Sequence, residues 1–215
     1  MSKLRQSFAI TSGFKNSVFD IKWRALMQMD PKIVIGVAGM PGAGKAVIKT
    51  AAESMGYAVV IMGDEIREET KKRGLEPTPE NIGKTMLQLR EEEGSTAVAK
   101  RCILKIEKAK TDTVFVDGVR SLAEVEEFKK HFARFSLIAV HSSPETRFQR
   151  LSRRKRSDDP QGWDVFVQRD LRELSVGQGD VIALADYMIV NEGTYEEFKA
   201  EVHGVLEAAI ERWKR

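Results

Sequence analysis

The chain has little with which to build a covalent or metal-held framework. It contains one cysteine, Cys102, which excludes an internal disulfide scaffold and suits a reducing, cytoplasmic compartment. No apolar run comes near the roughly 18 residues of a membrane span, so no membrane association is expected. Net charge is also nearly absent. With 35 basic residues against 32 acidic ones, no overall field calls for nucleic acid or a lipid surface. The histidines, His131, His141 and His203, are isolated from one another and read as structural. There is no internal repeat and no low-complexity tract. At 215 residues the chain can bury one sizeable core, which points to a single α/β domain.

Residues 1–30 differ from the rest. They lack a sustained apolar period, a continuous apolar segment and a small-residue cleavage site, so they do not read as a secretory signal. They form an appendage of unknown role. Met27 and Met29 leave an upstream-extended start open, and a short helix across Val18–Leu26 packing on the domain is the other reading.

The stretch that organises the remainder runs from Ile33 to Ile48. A β-branched run, Ile33-Val34-Ile35-Gly36-Val37-Ala38, leads into Gly39-Met40-Pro41-Gly42-Ala43-Gly44-Lys45 and then into the helical pattern of Ala46-Val47-Ile48. This is the layout of a phosphate-binding loop, G-x-x-x-x-G-K, without the final Ser or Thr. Glycines let the backbone wrap closely, so that successive N–H groups converge on phosphate oxygens at a helix N-terminus. Lys45 adds a point charge near the β- and γ-phosphates. A plain strand-to-helix turn with a solvated lysine is the alternative. Three glycines in six residues beside such a strand make it the weaker one.

Strands and helices alternate along the rest of the chain. Lys45–Met55 reads as a helix stopped at Gly56, followed by a buried strand, Ala58–Met62. A polar helix opens at Gly63 and ends near Gly74. Thr78-Pro79 starts another that runs to Glu93, and Ser95 begins a further one carrying Arg101, Lys105 and Lys108. Thr113–Asp117 is a third strand, and Ser121-Leu122-Ala123-Glu124 has the form of a capping box. Ser136–His141 is a fourth strand, and a helix starts at Pro144. After a polar loop, Ser157–Gly162, comes a helix over Asp164–Leu174. Ala185–Val190 is a fifth strand, and Thr194-Tyr195-Glu196-Glu197 caps a long C-terminal helix. The alternation predicts an α/β fold with a doubly wound, five-stranded parallel sheet flanked by helices. Chemistry is expected at the carboxyl ends of the strands.

Four stretches fall there: the glycine-rich loop, Gly63–Arg67, Asp117–Arg120 and the arginine-rich Arg147–Arg156. Taken singly, each has an ordinary reading. Asp64 can be a helix cap, Asp117-Gly118 a strand-ending turn, and the arginines an exposed charged face or a nucleic-acid patch. Their joint order behind one phosphate loop favours a common site.

These residues resemble a nucleoside monophosphate kinase of the adenylate kinase type, and more closely the archaeal adenylate-kinase-related nucleotide kinase family. The likeness covers about residues 31–212. Gly39-Met40-Pro41-Gly42-Ala43-Gly44-Lys45 is similar to the G-x-P-G-x-G-K loop of adenylate kinases, with Ala46-Val47 where Gly-Thr usually follows. Gly63-Asp64-x-x-Arg67 matches the family's G-D-x-x-R, which implies acceptor binding by Gly63, Asp64 and Arg67. Asp117-Gly118-Val119-Arg120 resembles D-G-x-P-R, without the proline and one residue shorter. The likeness implies that Asp117 orients Mg²⁺, largely through water, and that Arg120 holds the acceptor phosphate. Arg150-Leu151-Ser152-Arg153-Arg154 is similar to the first part of a lid, R-I-x-G-R, placing Arg150 near adenine and Arg154 near phosphate. Arg156-Ser157-Asp158-Asp159 matches R-x-D-D, and Arg169 suits the arginine one helix further on. Asn191-Glu192-Gly193 resembles the turn that lies against adenine.

The resemblance implies a P-loop kinase-like domain over residues 31–215, with acceptor-binding helices at about 63–93 and a short lid at about 150–169. It implies ATP and Mg²⁺ as cofactors and a small-molecule phosphate acceptor. Lys45, Arg156 and Arg169 would stabilise the transferred phosphoryl group. Arginines suit that task, since a loose, charge-rich transition state needs positioned cations more than a general base. Two alternatives remain in the sequence: dephospho-CoA or another small molecule as acceptor, and an ATPase switch binding RNA or protein.

Overall fold

The computed structural model describes residues 30–154 and 159–214. Residues 1–29 of the N-terminal appendage, Arg156 and the Ser157–Asp158 part of the lid motif lie outside the described residues, and Asp30 belongs to the first strand instead. Five strands, β1 (Asp30–Ala38), β2 (Ala58–Ile61), β3 (Thr113–Asp117), β4 (Phe132–His141) and β5 (Tyr187–Val190), run parallel in the order β2-β3-β1-β4-β5. Between and after them lie α1 (Lys45–Ser54), α2 (Met62–Lys72), α3 (Pro79–Glu93), α4 (Ala97–Glu107), α5 (Leu122–His131), α6 (Pro144–Arg154), α7 (Trp163–Ser175), α8 (Gln178–Ala183) and α9 (Tyr195–Lys214). The expected doubly wound sheet is therefore present.

The two faces of the sheet bury two separate cores, and the period of two along each strand assigns the residues. Ile33, Ile35 and Val37 of β1 join Phe115, Ile138 and Val140 beneath α1 and α9. Val34, Val114, Val116 and Leu137 face the other way, toward α2, α4 and α5. Gly36 belongs to that second face. A Cβ on it would stand 2.9 Å from Phe135 Cζ and 3.1 Å from Leu137 Cδ1. The glycine makes room for Phe135, whose ring stacks on Phe128 at 5.8 Å between centroids. Filling that space would cost about 1–3 kcal/mol by overpacking.

Several boundaries differ from the sequence reading for identifiable reasons. β4 begins at Phe132 rather than Ser136, because its first residue pairs with Asp30 at the start of β1. Met62 opens α2 instead of ending β2; its side chain is buried against the second core. β5 starts at Tyr187, since the Asp186 carboxylate accepts from Leu137 N–H at 2.8 Å before the strand ladder begins. Helix α8, entered through left-handed Gly177, was not expected. Thr78 does cap α3, accepting from Asn81 N–H at 3.2 Å.

The site-bearing turns all sit at the carboxyl edge of the sheet. Gly118, with φ +99°, turns the chain as β3 ends, and its N–H donates to Val37 O at 3.0 Å. Val119 N–H donates to the same carbonyl at 3.1 Å. These bonds tie the Asp117–Arg120 turn to the last residues of β1, directly before the glycine-rich loop.

Candidate active site

The loop between β1 and α1 is built from glycines that nothing else could replace. Gly39, Gly42 and Gly44 have φ of +149°, +86° and +113°, a region that L side chains rarely adopt. A Cβ at Gly39 would lie 2.5 Å from Val140 O, and one at Gly42 2.8 Å from Arg147 O. One at Gly44 would collide with Asn191 Nδ2 and approach Phe198. Between them Met40 and Ala43 are buried, and Ala43 N–H closes a turn on Met40 O at 3.1 Å. Gly44 is the N-cap of α1, and no side chain caps it and no acid lies in the first turn. The positive helix end is thus directed at the loop, the arrangement that binds anions. Ala46 and Val47 occupy that first turn, with Ala46 exposed. Lys45 folds over the loop, donating to Gly39 O at 2.5 Å and Met40 O at 3.3 Å.

Opposite Lys45 the structure gathers Asp117, Arg120, Arg169 and Glu173. Asp117 is the last residue of β3, paired in register with Val37 and Ile61. Its Oδ1 is buried and has no hydrogen-bond partner among the described residues. Arg120 Nε donates to Glu173 Oε2 at 2.8 Å. Burial lowers the Lys45 pKa below the ordinary lysine value; Asp117 and Glu173 oppose that shift, while Arg120 and Arg169 add to it. Glu173 raises the Arg120 pKa further above its usual value. Burial pushes the Glu173 carboxyl upward, but Arg120, Lys45 and Arg169 outweigh it and hold the group below the ordinary carboxylate range.

Arg120, Arg169 and Glu173 also line a cavity of about 610 Å³. Gly63, Ile66 and Arg67 of α2 and Ile82, Gly83 and Met86 of α3 make one wall. Asp159, Pro160 and, from α7, Val165 and Arg172 make the other. The cavity lining combines four arginines, Arg67, Arg120, Arg169 and Arg172, with the apolar Ile66, Ile82, Met86 and Val165. Gly83 lies inside a helix, where glycine costs about 1 kcal/mol relative to alanine. A Cβ there would stand 3.0 Å from Arg172 Nη1, so the glycine admits the arginine.

Behind the loop runs a buried polar network. Asn191 Nδ2 donates to Ala43 O at 2.8 Å, and Ser142 Oγ donates to Asn191 O at 2.7 Å. Arg150 donates to Ser142 Oγ at 2.9 Å and to Asn191 O and Oδ1 at 3.1 Å each. The described position of Arg150 thus fixes the back of the loop rather than facing open space. Arg147 is more central still, with 4 % of its surface exposed. It donates to Pro41 O at 3.2 Å, to Ser142 O at 3.1 Å and to both oxygens of Asp170 at 2.8 and 2.5 Å. Its guanidinium also lies 4.9 Å from the Phe166 ring centroid.

The remaining sequence candidates are dispersed. Arg154 binds Asp159 at 3.1 and 2.5 Å, linking the end of α6 to the cavity wall. Asp64 pairs with Arg67 on the half-exposed face of α2 and is not among the cavity-lining residues. Gly193 leaves room for Glu197, whose carboxylate lies 2.7 Å from where its Cβ would be. That carboxylate accepts from Thr194 N–H at 2.8 Å while Thr194 Oγ1 accepts from Glu197 N–H at 3.3 Å, a complete capping box. The box expected at Ser121 is only half made. Ser121 Oγ accepts from Glu124 N–H, but the Glu124 carboxylate turns to Arg120 N–H at 2.8 Å and Arg90 Nη2 at 2.7 Å.

Sequence reasoning missed Glu173 and Arg172; it placed Arg147 in a candidate arginine-rich stretch and Glu124 in a capping box, without their buried partners. Only Glu173 carried a usable signal, lying four residues after Arg169 and so on the same face of α7. Among the described residues no group of three or more His, Cys, Asp and Glu side chains could hold a metal, and no helix is long and apolar enough to cross a membrane.

A parallel five-stranded sheet in this order, with the glycine loop on its central strand, defines a P-loop kinase-like fold. The solved shikimate kinase of Acinetobacter baumannii, bound to shikimate, is similar in fold, with a TM-score of 0.52, 21% identity and coverage of 85% of this chain and 96% of that one. A family model described as an AAA domain matches residues 38–167. A UPF0200 protein of Hyperthermus butylicus is 54% identical over 81% of this chain and 94% of its own length. One of Methanocaldococcus jannaschii is 48% identical over 85% and 95%. The chain belongs to the UPF0200 family.

Proposed function

We propose that the protein transfers the terminal phosphoryl group of ATP to a nucleoside monophosphate, yielding ADP and a nucleoside diphosphate. The observation that carries this reading is the cavity lined by four arginines, two of which, Arg120 and Arg169, also act on Lys45 of the loop. A hydrolytic switch needs a phosphate loop, but no second, 610 Å³ chamber lined by Arg67, Arg120, Arg169 and Arg172. In this reading α2 and α3, about residues 63–93, form the acceptor arm, and residues 150–169 form the lid.

The loop N–H groups of Gly42, Gly44, Lys45 and Ala46 and the Lys45 ammonium bind the donor phosphates. Lys45 leaves the carbonyls of Gly39 and Met40 for phosphate oxygens, which are better acceptors for an ammonium held in a partly desolvated place. The exposed turn at Glu192 and Gly193 lies toward adenine, with Asn191 and Arg150 bracing the loop and Arg154 bracing the cavity wall. Gly63, Arg67 and Arg120 hold the acceptor phosphate, and Asp64 orients Arg67. Arg169, and Arg156 by the motif it belongs to, stabilise the group in flight. One acceptor oxygen forms the new P–O bond as the bond to ADP breaks, and charge spread over the equatorial oxygens is met by these cations. The orphaned Oδ1 of Asp117 fits a magnesium ion held through water. Such an ion, when bound, would neutralise charge on the donor phosphates.

The test is ADP formation from ATP and Mg²⁺ with AMP, CMP, UMP, GMP, dCMP, dephospho-CoA or no acceptor. One monophosphate should stimulate strongly and appear as its diphosphate by mass, and Lys45→Ala should abolish turnover without unfolding the chain. Equal slow ADP release in every well would refute the kinase reading and favour an ATPase switch.

A further inference from the structure

Arg120 stands at the meeting point of the cavity and the loop, and its Nε is engaged by Glu173 Oε2 at 2.8 Å. Glu173 is not an exposed decoration of α7. Its side chain is 12 % exposed, it lines the same cavity as Arg67, Arg120, Arg169 and Arg172, and it is held ionised by the surrounding cations. An anion drawn to this arginine cluster therefore meets a fixed carboxylate on the guanidinium it seeks. Two anions on one arginine repel strongly where solvent is scarce.

We propose that Glu173 is the resident counter-ion of the acceptor subsite, which an incoming phosphate must displace from Arg120, and that this exchange selects acceptors by charge. The proposal rests on the kinase reading for what the subsite is used for, though not for the exchange itself. A phosphate dianion offers paired oxygens to Arg120 and its neighbours and offsets the lost Glu173 contact. A neutral hydroxyl or a single carboxylate brings less charge and leaves Glu173 in place. The acceptor class is accordingly a dianionic phosphate ester. Once displaced, the carboxylate remains on α7 beside Arg169, so acceptor binding is read directly by the helix that carries a transfer-stabilising cation.

The experiment is calorimetric titration of the full chain with inorganic phosphate, without nucleotide, in wild type, Glu173→Gln, Arg120→Met and the double variant. Glu173→Gln should bind phosphate about tenfold more tightly or better, the scale of removing one nearby like charge. Adding Arg120→Met should remove that gain. Glu173→Ser carries the same expectations should the glutamine variant fold poorly. Unchanged or weaker phosphate binding in the neutral variants would overturn the proposal, because a bystander has no effect and a carboxylate that merely orients Arg120 weakens the site when lost. A gain that survives Arg120→Met would also overturn it, placing the phosphate on the glycine loop. Failure of every acceptor to stimulate ADP release would refute the kinase reading and leave the phosphate titration as an independent result.

Discussion

Replacing Arg147 with methionine removes a buried cation that ties the loop, α6 and α7 together. The side chain it removes is 4% exposed and its partner Asp170 is 14% exposed, so neither charge is well hydrated. Methionine keeps the aliphatic stem but loses the guanidinium over the Phe166 ring, strands the Asp170 carboxylate and takes a donor from Pro41 O and Ser142 O. Breaking a buried pair from one side costs about 3–5 kcal/mol. For a chain of this size, 1 kcal/mol moves Tm by about 2–4 °C, so a fall of roughly 6–20 °C is expected. Urea unfolding followed by circular dichroism measures the same loss as a shift in midpoint at unchanged slope. The double variant Arg147→Met/Asp170→Leu should recover at least half of it, because no charge is left buried alone. The two carbonyls would still lack their donor, so recovery should be incomplete. A loss below about 1 kcal/mol in the single variant, or no recovery in the double, would refute the assignment of Arg147 as a charged hub.

Two further outcomes concern acids held by arginines. Glu124 is fully buried between Arg90 and Arg120 N–H, so Glu124→Gln leaves one donor unmatched, costing about 1–3 kcal/mol. Because that carboxylate holds the Arg120 backbone, the acceptor KM should rise while the KM for ATP stays put; equal changes in both would show a general loss of structure instead. Glu69 is held below the ordinary carboxylate range first by its hydrogen bond from Arg101 and then by that from Arg73. A depressed carboxylate adds stability that is complete above its unfolded pKa, near 4.3, and is lost as pH falls through the folded value. Wild-type stability should therefore decline below about pH 4, and Glu69→Gln should flatten that limb; an unchanged slope would remove Glu69 from the account.

Much of this fold is decided between neighbouring residues and is legible without the tertiary structure. The β-branched run before Gly39, the glycines that must take positive φ, Thr78 before Pro79 and the Thr194–Glu197 box all act within a few residues. Their outcomes are set by backbone sterics and local hydrogen bonds. Thr113–Asp117 was legible as a strand because its centre, Val114-Phe115-Val116, is the continuous apolar run of a buried parallel strand. Fold class and the glycine loop followed from such signals, and so did the order of Gly63–Arg67, Asp117–Arg120 and the later arginines along the sheet's carboxyl edge.

Tertiary structure alone decided the partners. Glu124 reads as a cap but turns to Arg90, 34 residues earlier, because its site is sealed from water and the arginine is the charge within reach. Arg147 sits in a run of arginines indistinguishable from a solvated face until α7 brings Asp170 onto it, 23 residues later. Gly36 reads as an ordinary strand glycine until β4 brings Phe135, in register with Val34, against it. Glu173 becomes part of the cavity only because α7 crosses opposite α2 and α3. Each of these depends on which distant surfaces the parallel crossovers press together. Desolvation at those contacts, rather than local preference, then fixes which charges must meet.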